Sequence, residues 1–262
     1  MNLPIYKADA FTSKLFGGNP AAVCPLAEWL PDDVMQNLAA ENNLSETVFF
    51  VKEGEHYRIR WFTPGTEVKL CGHATLASAH IFYTELGYTN DTLLFDSLSG
   101  ILKVTRTGPG KYMLDFPANI PQPVDDIPAG IFEGLGIDPC PLFSTSFDYM
   151  VVLPSQKEVE ALEPDFKTLA QVKARGVIVT AKGDDVDFVS RCFYPQSGID
   201  EDPVTGSAHT IMVPYWAAQL NKTSMNAIQL SKRKGFLEVE LSGDRVLMSG
   251  NVVTYLRGTY TV

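Results

Sequence analysis

The sequence predicts an α+β protein that is built from two similar halves. In each half, a Pro-Asp pair opens a helix-like segment, two strand-like stretches follow, and a turn of small residues leads into an apolar segment of helical length. Pro64 and Pro195 close the two hairpins and stand about half the chain apart. We interpret this matched order as a duplicated unit in which strands wrap one central helix. The alternative, that unrelated α+β segments share such an order, stays open.

The first predicted element of each half is a helix of about three turns. The segments are LPDDVMQNL (30–38) and EPDFKTL (163–169). Proline suits the first turn of a helix, and an acidic residue there favours the positive end of the helix dipole. Val34 and Leu38 share one face in the first segment, as do Phe166 and Ala170 in the second.

Each helix is followed by a predicted β-hairpin. The first pairs ETVFFV (46–51) with YRIRWF (57–62), and the second pairs RGVIVTA (175–181) with VDFVSRCF (186–193). The second strand of each pair alternates polar with apolar residues, which is typical of a half-buried strand.

The turns CGHAT (71–75) and PVTGS (203–207) precede the predicted central helices LASAHIFYTEL (76–86) and AHTIMVPYWAAQL (208–220). Gly72 and Gly206 allow close approach of the backbone, and the free N–H groups of a helix start bind anions such as a carboxylate. A ligand site in the cleft between the two halves follows from this arrangement.

Composition excludes several classes of function. The 262 residues carry a net charge of −10, which disfavours binding to nucleic acid. No apolar run is long enough to cross a membrane, and the start lacks the profile of a signal peptide. The four cysteines form no CxxC pair, which predicts reduced thiols and a cytoplasmic location.

The pattern also predicts no metal and no phosphate cofactor. His73 and His80 would lie roughly 10 Å apart along one helix, too far apart to share an ion. Neither a GxGxxG nor a GxxxxGK[ST] motif occurs.

Glu46 is the first candidate for chemistry. It stands just before the very apolar VFFV, at the entrance of a predicted strand. A partly desolvated carboxylate has a raised pKa that suits general acid/base catalysis. The plainer interpretation is that Glu46 forms a cap or an ion pair at the surface.

Cys71 and His73 resemble a nucleophile pair, but neighbours two apart on a helix do not usually face each other. Each also has a structural interpretation, Cys71 as a small core residue and His73 as a side chain bonded to the backbone. Asp202 could place a carboxylate beside Glu46 and His73, or simply cap the second helix. Ser207 could donate to a substrate carboxylate or merely start that helix.

Together these features identify a family. The chain resembles the phenazine-biosynthesis F-like isomerases through four motifs in the right order: DAFTSKLFGGNPAAV (9–23), LSETVFF (44–50), FTPGTEVKLCGHATLASAH (62–80) and DEDPVTGSAHT (200–210). That family is related to diaminopimelate epimerase and proline racemase. The resemblance implies two similar halves, each a strand-rich barrel around a central helix, with the active site in the cleft between them.

The resemblance also implies cofactor-free proton transfer on a small carboxylate-bearing substrate. Glu46 matches the family's acid/base glutamate, with His73 and Asp202 as its polar partners. Gly72, Gly206 and Ser207 match anion-binding positions, and Asn19 is expected to line the pocket. A homodimer is also implied, whereas the sequence does not indicate the substrate or any link to phenazine synthesis.

One departure concerns thiol chemistry. The related epimerases use two cysteines, and Cys71 matches the first, but no cysteine stands near Asp202, and Cys192 lies too early in the chain. We therefore expect Cys71 to be either a relic of that chemistry or a wall of the pocket. A cysteine-based epimerase and a non-catalytic binding protein remain the alternatives.

The predicted domains are residues 1–117 and 118–250, with a boundary in the proline-rich PANIPQPVDDIP (117–128). The family fold implies that the last strand, near 251–262, returns to complete the first domain.

Overall fold

The computed structural model describes residues 2–262, which fold into two compact units. Unit 1 comprises the chain through Phe116 together with Leu247–Val262, and unit 2 comprises Pro117–Val246. Both are mixed α+β and rich in strands, which confirms the predicted class.

The strands are β1 Asn2–Ala10, β2 Asn19–Leu26, β3 Glu46–Glu53, β4 His56–Phe62, β5 Glu67–Val68, β6 Thr92–Ser97, β7 Gly100–Gly108, β8 Lys111–Pro117, β9 Gln122–Pro123, β10 Leu142–Ser144, β11 Asp148–Val152, β12 Gly176–Lys182, β13 Phe188–Tyr194, β14 Ile199–Asp202, β15 Ser224–Gln229, β16 Gly235–Ser242 and β17 Arg245–Thr261. The helices are α1 Asp32–Asn42, α2 Gly72–Thr84, α3 Ile131–Leu135, α4 Gln156–Glu160, α5 Phe166–Leu169 and α6 Gly206–Leu220.

Unit 1 is built around parallel pairs that are joined through helices. Strand β2 runs parallel to β3, with α1 between them in the chain, and β4 runs parallel to β6, with α2 between them. The hairpins β3–β4 and β6–β7 are antiparallel. Strand β17 pairs with β1 from Asn2↔Thr261 to Ala10↔Val252, so the two ends of the chain lie in one ladder.

Unit 2 has the same order of pairings. Strand β11 runs parallel to β12, the hairpin β12–β13 is antiparallel, β13 runs parallel to β15, and β15–β16 is antiparallel. The helix between β13 and β15 is α6. The predicted hairpins and central helices are therefore present in both units.

The two central helices are buried on nearly all sides because their residues are small or apolar all round. In α2, the hydroxyls of Thr75 and Ser78 donate to the carbonyls of Cys71 and Ala74 one turn earlier, at 2.6 and 2.8 Å. Each of these buried hydroxyls thus has a backbone partner in its own helix or in the residue just before it.

Helix α6 contains Pro214, which has no N–H to donate to the carbonyl of Thr210. That carbonyl instead accepts from the backbone N–H of Asn119 at 3.0 Å. The proline-rich segment is thereby hydrogen-bonded to the central helix of unit 2, and its strand β9 pairs with β10.

The helix predicted at residues 163–169 is much shorter than expected. It corresponds to α5, which has four residues instead of about three turns. The carboxylate of Asp165 caps the start of α5. After the helix, the N–H of Gln171 donates to the carbonyl of Thr168, three residues earlier, at 3.0 Å, which is the tighter hydrogen-bond pattern of a 3₁₀ turn. The side-chain amide of Gln196 donates to the carbonyls of Leu169 and Val172, at 2.9 and 3.3 Å, and so satisfies the end of the helix. Helix α1 has the predicted three turns.

None of the helices within residues 2–262 has the length and apolar character needed to span a bilayer.

Candidate active site

Glu46 and Asn19 lie at one edge of the parallel pair β2–β3. Asn19 opens β2 and Glu46 opens β3, where it is the register partner of Ala21. The five residues after Glu46 are all buried, so the strand enters the core at once and leaves the carboxylate at its rim. The Glu46 side chain is 13% exposed, which makes it mostly desolvated.

Asn19 depends on the glycine before it. Gly18 has a φ of 59°, and a Cβ at that position would stand 2.0 Å from the carbonyl oxygen of Ala10. Only glycine fits this turn, which brings the fully buried Asn19 to the start of its strand.

His73 reaches Glu46 from the first turn of α2. Its Nε2 lies 3.1 Å from Glu46 Oε2, and its side chain is 5% exposed. The two atoms are buried, and neither has an aligned hydrogen-bond partner among the described residues. The contact is therefore one of charge proximity, and both groups keep their capacity for hydrogen bonding.

The other ring nitrogen of His73 is held by Asn19, whose Nδ2 lies 3.1 Å from Nδ1. Ser45 Oγ donates to Asn19 Oδ1 at 3.4 Å, which is consistent with this orientation of the amide. With Asn19 donating, Nδ1 is the acceptor, and the neutral ring carries its proton on Nε2, toward Glu46. The chain Ser45–Asn19–His73–Glu46 therefore orients the imidazole.

Cys71 does face His73, contrary to the sequence expectation. Its Sγ lies 3.5 Å from His73 Nδ1. Cys71 is the residue before α2 and has extended backbone angles, φ −143° and ψ 111°, so the rule for neighbours on a helix does not apply to it.

Burial and charge shift the two titratable partners of Glu46. Burial works to lower the pKa of His73, but the adjoining Cys71 and Glu46 outweigh it and raise that pKa well above its ordinary value. Burial, and then the charge of Glu46, raise the pKa of Cys71 to about 11 although His73 lowers it. Cys71 is therefore a thiol at neutral pH, and the site favours the pairing of carboxylate with imidazole.

Glu46, Cys71 and His73 each offer one ligand atom within 4.8 Å of the others. A thiolate, an imidazole and a carboxylate form a donor set that Zn²⁺ accepts, although the thiol would first have to lose its proton. The sequence argument against a metal considered only the distance between His73 and His80, so it did not reveal this cluster. His80 lies elsewhere, 3.0 Å from Tyr112 Oη and 3.0 Å from Thr254 Oγ1.

The other predicted residues, Asp202, Gly206 and Ser207, lie together in unit 2. Asp202 ends β14, and its Oδ2 accepts from Thr205 Oγ1 at 2.6 Å. Gly206 and Ser207 begin α6, whose first turn has no side-chain cap. Gln229, which is fully buried, binds Thr205 N–H and Asp202 O at 2.8 and 2.7 Å and so fixes the turn.

The site residues predicted from the sequence did not include Gln229, Asp148 and Arg175, whose side chains hold this turn. Arg175 Nε and Nη2 donate to Asp148, and Nη2 also donates to Ser207 Oγ at 3.0 Å. One signal was available, because Arg175 occupies the position before β12 that Ser45 occupies before β3.

Cys192 is near Asp202 in space despite its distance along the chain. It stands opposite Asp202 in the β13–β14 pair, so the sequence judgement that it lies too early was a poor guide to proximity. Its thiol is fully buried, and burial raises its pKa well above the ordinary value. This thiol is not a good acid or base.

Comparison with known proteins agrees across nearly the whole chain. A family model for phenazine biosynthesis-like proteins, PhzC-PhzF, matches residues 8–258. An uncharacterized isomerase of Pseudomonas aeruginosa is 49% identical over 259 residues, covering 99% of each chain. The crystal structure of a PhzF-family phenazine biosynthesis protein from Enterococcus faecalis superimposes with a TM-score of 0.96 at 45% identity, covering 100% of both chains.

A more distant structure shares the fold alone. The hydroxyproline epimerase of Agrobacterium vitis is similar at a TM-score of 0.62 and 9% identity, covering 98% of this chain and 92% of that one.

Proposed function

This chain belongs to the PhzC-PhzF family of phenazine biosynthesis-like proteins, and we propose that it is an isomerase that moves a proton on a small carboxylate-bearing substrate without a cofactor. The observation that carries the proposal is the pair Glu46–His73. A mostly buried carboxylate lies 3.1 Å from a buried imidazole, and neither atom has an aligned hydrogen-bond partner among residues 2–262.

In the proposed reaction, Glu46 acts first as base and then as acid. Its carboxylate takes a proton from one substrate carbon, and the electron pair of that C–H bond becomes a new double bond. The electrons of the existing double bond form a C–H bond at a second carbon, with the same proton returned by Glu46. Nothing is gained or lost overall, so no redox partner is required.

His73 is assigned the role of a polar partner. Its Nε2 lies 3.1 Å from Glu46 Oε2, and the contact of Asn19 with Nδ1 holds the ring in place beside the carboxylate. A mostly buried carboxylate beside a polar side chain that can exchange hydrogen bonds with it is suited to general acid/base catalysis. Cys71 is proposed as a wall of the pocket, since its thiol is protonated.

Asp202, Gly206 and Ser207 enter the proposal from unit 2. Their assignment follows from the family resemblance, with Asp202 as a relay and the start of α6 as the anion-binding turn. The matched order of strand pairing in the two units also supports our proposal that the fold arose by duplication. A homodimer is a further proposal, for which light scattering after size exclusion is the test.

The experiment is solvent proton exchange. The protein is incubated in D₂O with a panel of small cyclic and amino carboxylic acids, dihydro-hydroxyanthranilate among them, and deuterium on carbon is followed by mass spectrometry and NMR. We expect exchange with at least one compound and a fall of about 10²- to 10⁴-fold in Glu46→Gln, the usual contribution of a general base.

A matched control is Glu55→Gln, because Glu55 lies in the exposed turn between β3 and β4. It should exchange like the wild type. His73→Gln and Asp202→Asn should each slow exchange while leaving the fold intact by circular dichroism. Full exchange in Glu46→Gln would refute the assignment.

One observation favours a second candidate. The 3.5 Å contact between Cys71 Sγ and His73 Nδ1 is the geometry of a thiol activated by imidazole, as a cysteine-based epimerase would need. The raised pKa of Cys71 argues against it. Exchange that survives Glu46→Gln and is lost in Cys71→Ser would move the chemistry to the thiol, and no exchange with any compound would favour a non-catalytic binding protein.

A further inference from the structure

Asp9 is a buried carboxylate that the proposed reaction does not use. It lies near the end of β1, where it is the register partner of Pro20, and it is 4% exposed. Its Oδ2 accepts the backbone N–H of Phe16, seven residues along the chain, at 2.9 Å. Burial of a carboxylate is costly unless it accepts hydrogen bonds, so this contact indicates an anchor for the segment that joins β1 to β2.

That segment, the β1–β2 loop (residues 11–18), has an uncommon backbone conformation. Phe11 and Phe16 have φ values of 63° and 69°, in the left-handed region that bulky side chains rarely adopt. Gly18 follows with a φ of 59°. Strained residues of this kind persist only where their surroundings fix them, and they cluster at functional sites. The loop therefore needs anchors, and Asp9 is one of them.

The two strained phenylalanines are fixed in different ways. Phe11 is fully buried, and a Cβ on Gly250 would stand 2.3 Å from its ring, so close packing holds it. Phe16 is 67% exposed, and its ring meets that of Tyr255 edge to face, with 5.6 Å between the ring centres. Burial of the ring is therefore not what fixes the Phe16 backbone, whereas the hydrogen bond to Asp9 acts on that backbone directly.

The β1–β2 loop leads directly to a residue of the candidate active site. Gly18 lies so close to the carbonyl of Ala10 that only glycine fits, and Asn19, the register partner of Ala10, comes next. Asn19 Nδ2 lies 3.1 Å from Nδ1 of His73, whose Nε2 lies 3.1 Å from Glu46 Oε2. The position of the imidazole beside the carboxylate thus depends on where the loop places the Asn19 amide.

We propose that Asp9 is a positioning residue for the acid/base pair. By accepting the N–H of Phe16, its carboxylate fixes the path of the β1–β2 loop into Asn19. The Asn19 amide in turn holds the His73 imidazole beside the Glu46 carboxylate. The proposal rests on the proposed function in taking His73 and Glu46 as the groups that act on the substrate.

The test reads the surroundings of the His73 ring directly and needs no substrate. The protein is labelled with ¹⁵N in its histidine rings, and the His73 signals are assigned by their absence in His73→Gln. Asn19→Ala shows where the Nδ1 signal moves when the amide is lost. We expect Asp9→Ala to move that signal at least halfway toward the same position, because the released loop no longer places Asn19 against the ring.

Two controls separate positioning from a general loss of structure. His80 lies on the same helix as His73 and makes its hydrogen bonds elsewhere, so its signals should stay in place in Asp9→Ala. Met35→Ala leaves a cavity in a different cluster of the same unit and should lower the melting temperature, but it should leave the His73 signal unchanged.

A matched pair of variants keeps the prediction testable if Asp9→Ala folds poorly. Phe16→Gly keeps the N–H and adopts a φ of 69° without strain, so it should fold and leave the His73 signal in place although the ring is lost. Asp9→Ala/Phe16→Gly also lacks the strain but has lost the anchor, so its His73 signal should move. Asp9→Asn keeps a side-chain oxygen that can accept the Phe16 N–H, and its His73 signal should lie closer to the wild-type position than that of Asn19→Ala.

The outcomes also separate this proposal from the proposed function. Where exchange is found, Asp9→Ala should slow it by about 10- to 10²-fold, the usual cost of a small misplacement, and Asp9→Asn should recover most of that loss. A His73 signal that stays at its wild-type position in Asp9→Ala, or that moves equally in Met35→Ala, overturns the positioning role even if Glu46-dependent exchange persists. A His73 signal that moves in Asp9→Ala and not in Met35→Ala supports it, whether or not any substrate is found.

Discussion

Gln229 offers the sharpest test of the structure, because one buried side chain holds the whole turn before α6. Its Oε1 accepts from Thr205 N–H at 2.8 Å, and its Nε2 donates to Asp202 O at 2.7 Å and to Thr205 Oγ1 at 3.1 Å. It is fully buried, so water cannot replace these bonds without rearrangement.

Gln229→Ala would leave the buried N–H of Thr205 without its acceptor and would remove one hydrogen bond to the carbonyl of Asp202. An unsatisfied buried group costs about 1–3 kcal/mol and a lost hydrogen bond about 0.5–1.5 kcal/mol, so the free energy of unfolding should fall by about 1.5–4.5 kcal/mol. Urea denaturation followed by circular dichroism measures this fall as a lower midpoint at an unchanged slope.

Gln156→Ala is the matched control. Gln156 also makes two side-chain hydrogen bonds, to Glu160 and to the N–H of Asp184 at 2.9 and 3.1 Å, but both are exposed. Its loss should change stability by no more than about 0.5 kcal/mol. If the two substitutions lowered the free energy of unfolding equally, burial would not make the Gln229 hydrogen bonds more stabilising than exposed ones. That result would refute the prediction.

Three further predictions concern packing and titration. Gly176→Ala should destabilise the protein by about 1–3 kcal/mol, because the new Cβ would stand 2.1 Å from the ring of Tyr194. Gly65→Ala is the control and should not destabilise it, because no atom lies within 4 Å of the added Cβ. Equal melting temperatures of the two variants would contradict this prediction. Cys71 should react slowly with iodoacetamide at pH 7.5, because burial raises the pKa of its thiol to about 11. The rate of reaction should still be rising at pH 10. A rate independent of pH would exclude the raised pKa. Because the folded-state pKa of His73 is raised, its stabilisation is fully present below pH 6.5 and is lost as the pH rises through the folded value. The stability advantage of the wild type over His73→Gln should therefore shrink from pH 6 to pH 9, and a constant difference in urea midpoint would count against the ion pair.

The local pattern of the chain was sufficient to predict the two hairpins and the two central helices. The apolar run after Glu46 and the alternation in YRIRWF predicted the β3–β4 hairpin, and the small, apolar segments after Gly72 and Gly206 predicted two buried central helices. These predictions succeeded because burial of a strand or helix leaves a periodic pattern in the residues themselves. The length of α5 could not be predicted this way, because the carbonyls at its end are bonded by Gln196, which lies in the turn after β13 and is far along the chain.

The sequence by itself thus determined the two hairpins, the two central helices, the family motifs and the position of Glu46 at the start of a strand. Only the tertiary structure decided which side chains meet. Asn19 and Glu46 approach His73 from opposite sides, and Asp148 meets Arg175, because strand register and helix entry bring together residues that are far apart in the chain. Such contacts depend on the path of the backbone through space, and no periodicity records them. The same path that carries His73 to Glu46 also turns the Cys71 thiol onto the imidazole and buries it, which raises the pKa of the thiol and supports the proposal that the Glu46 carboxylate moves the proton.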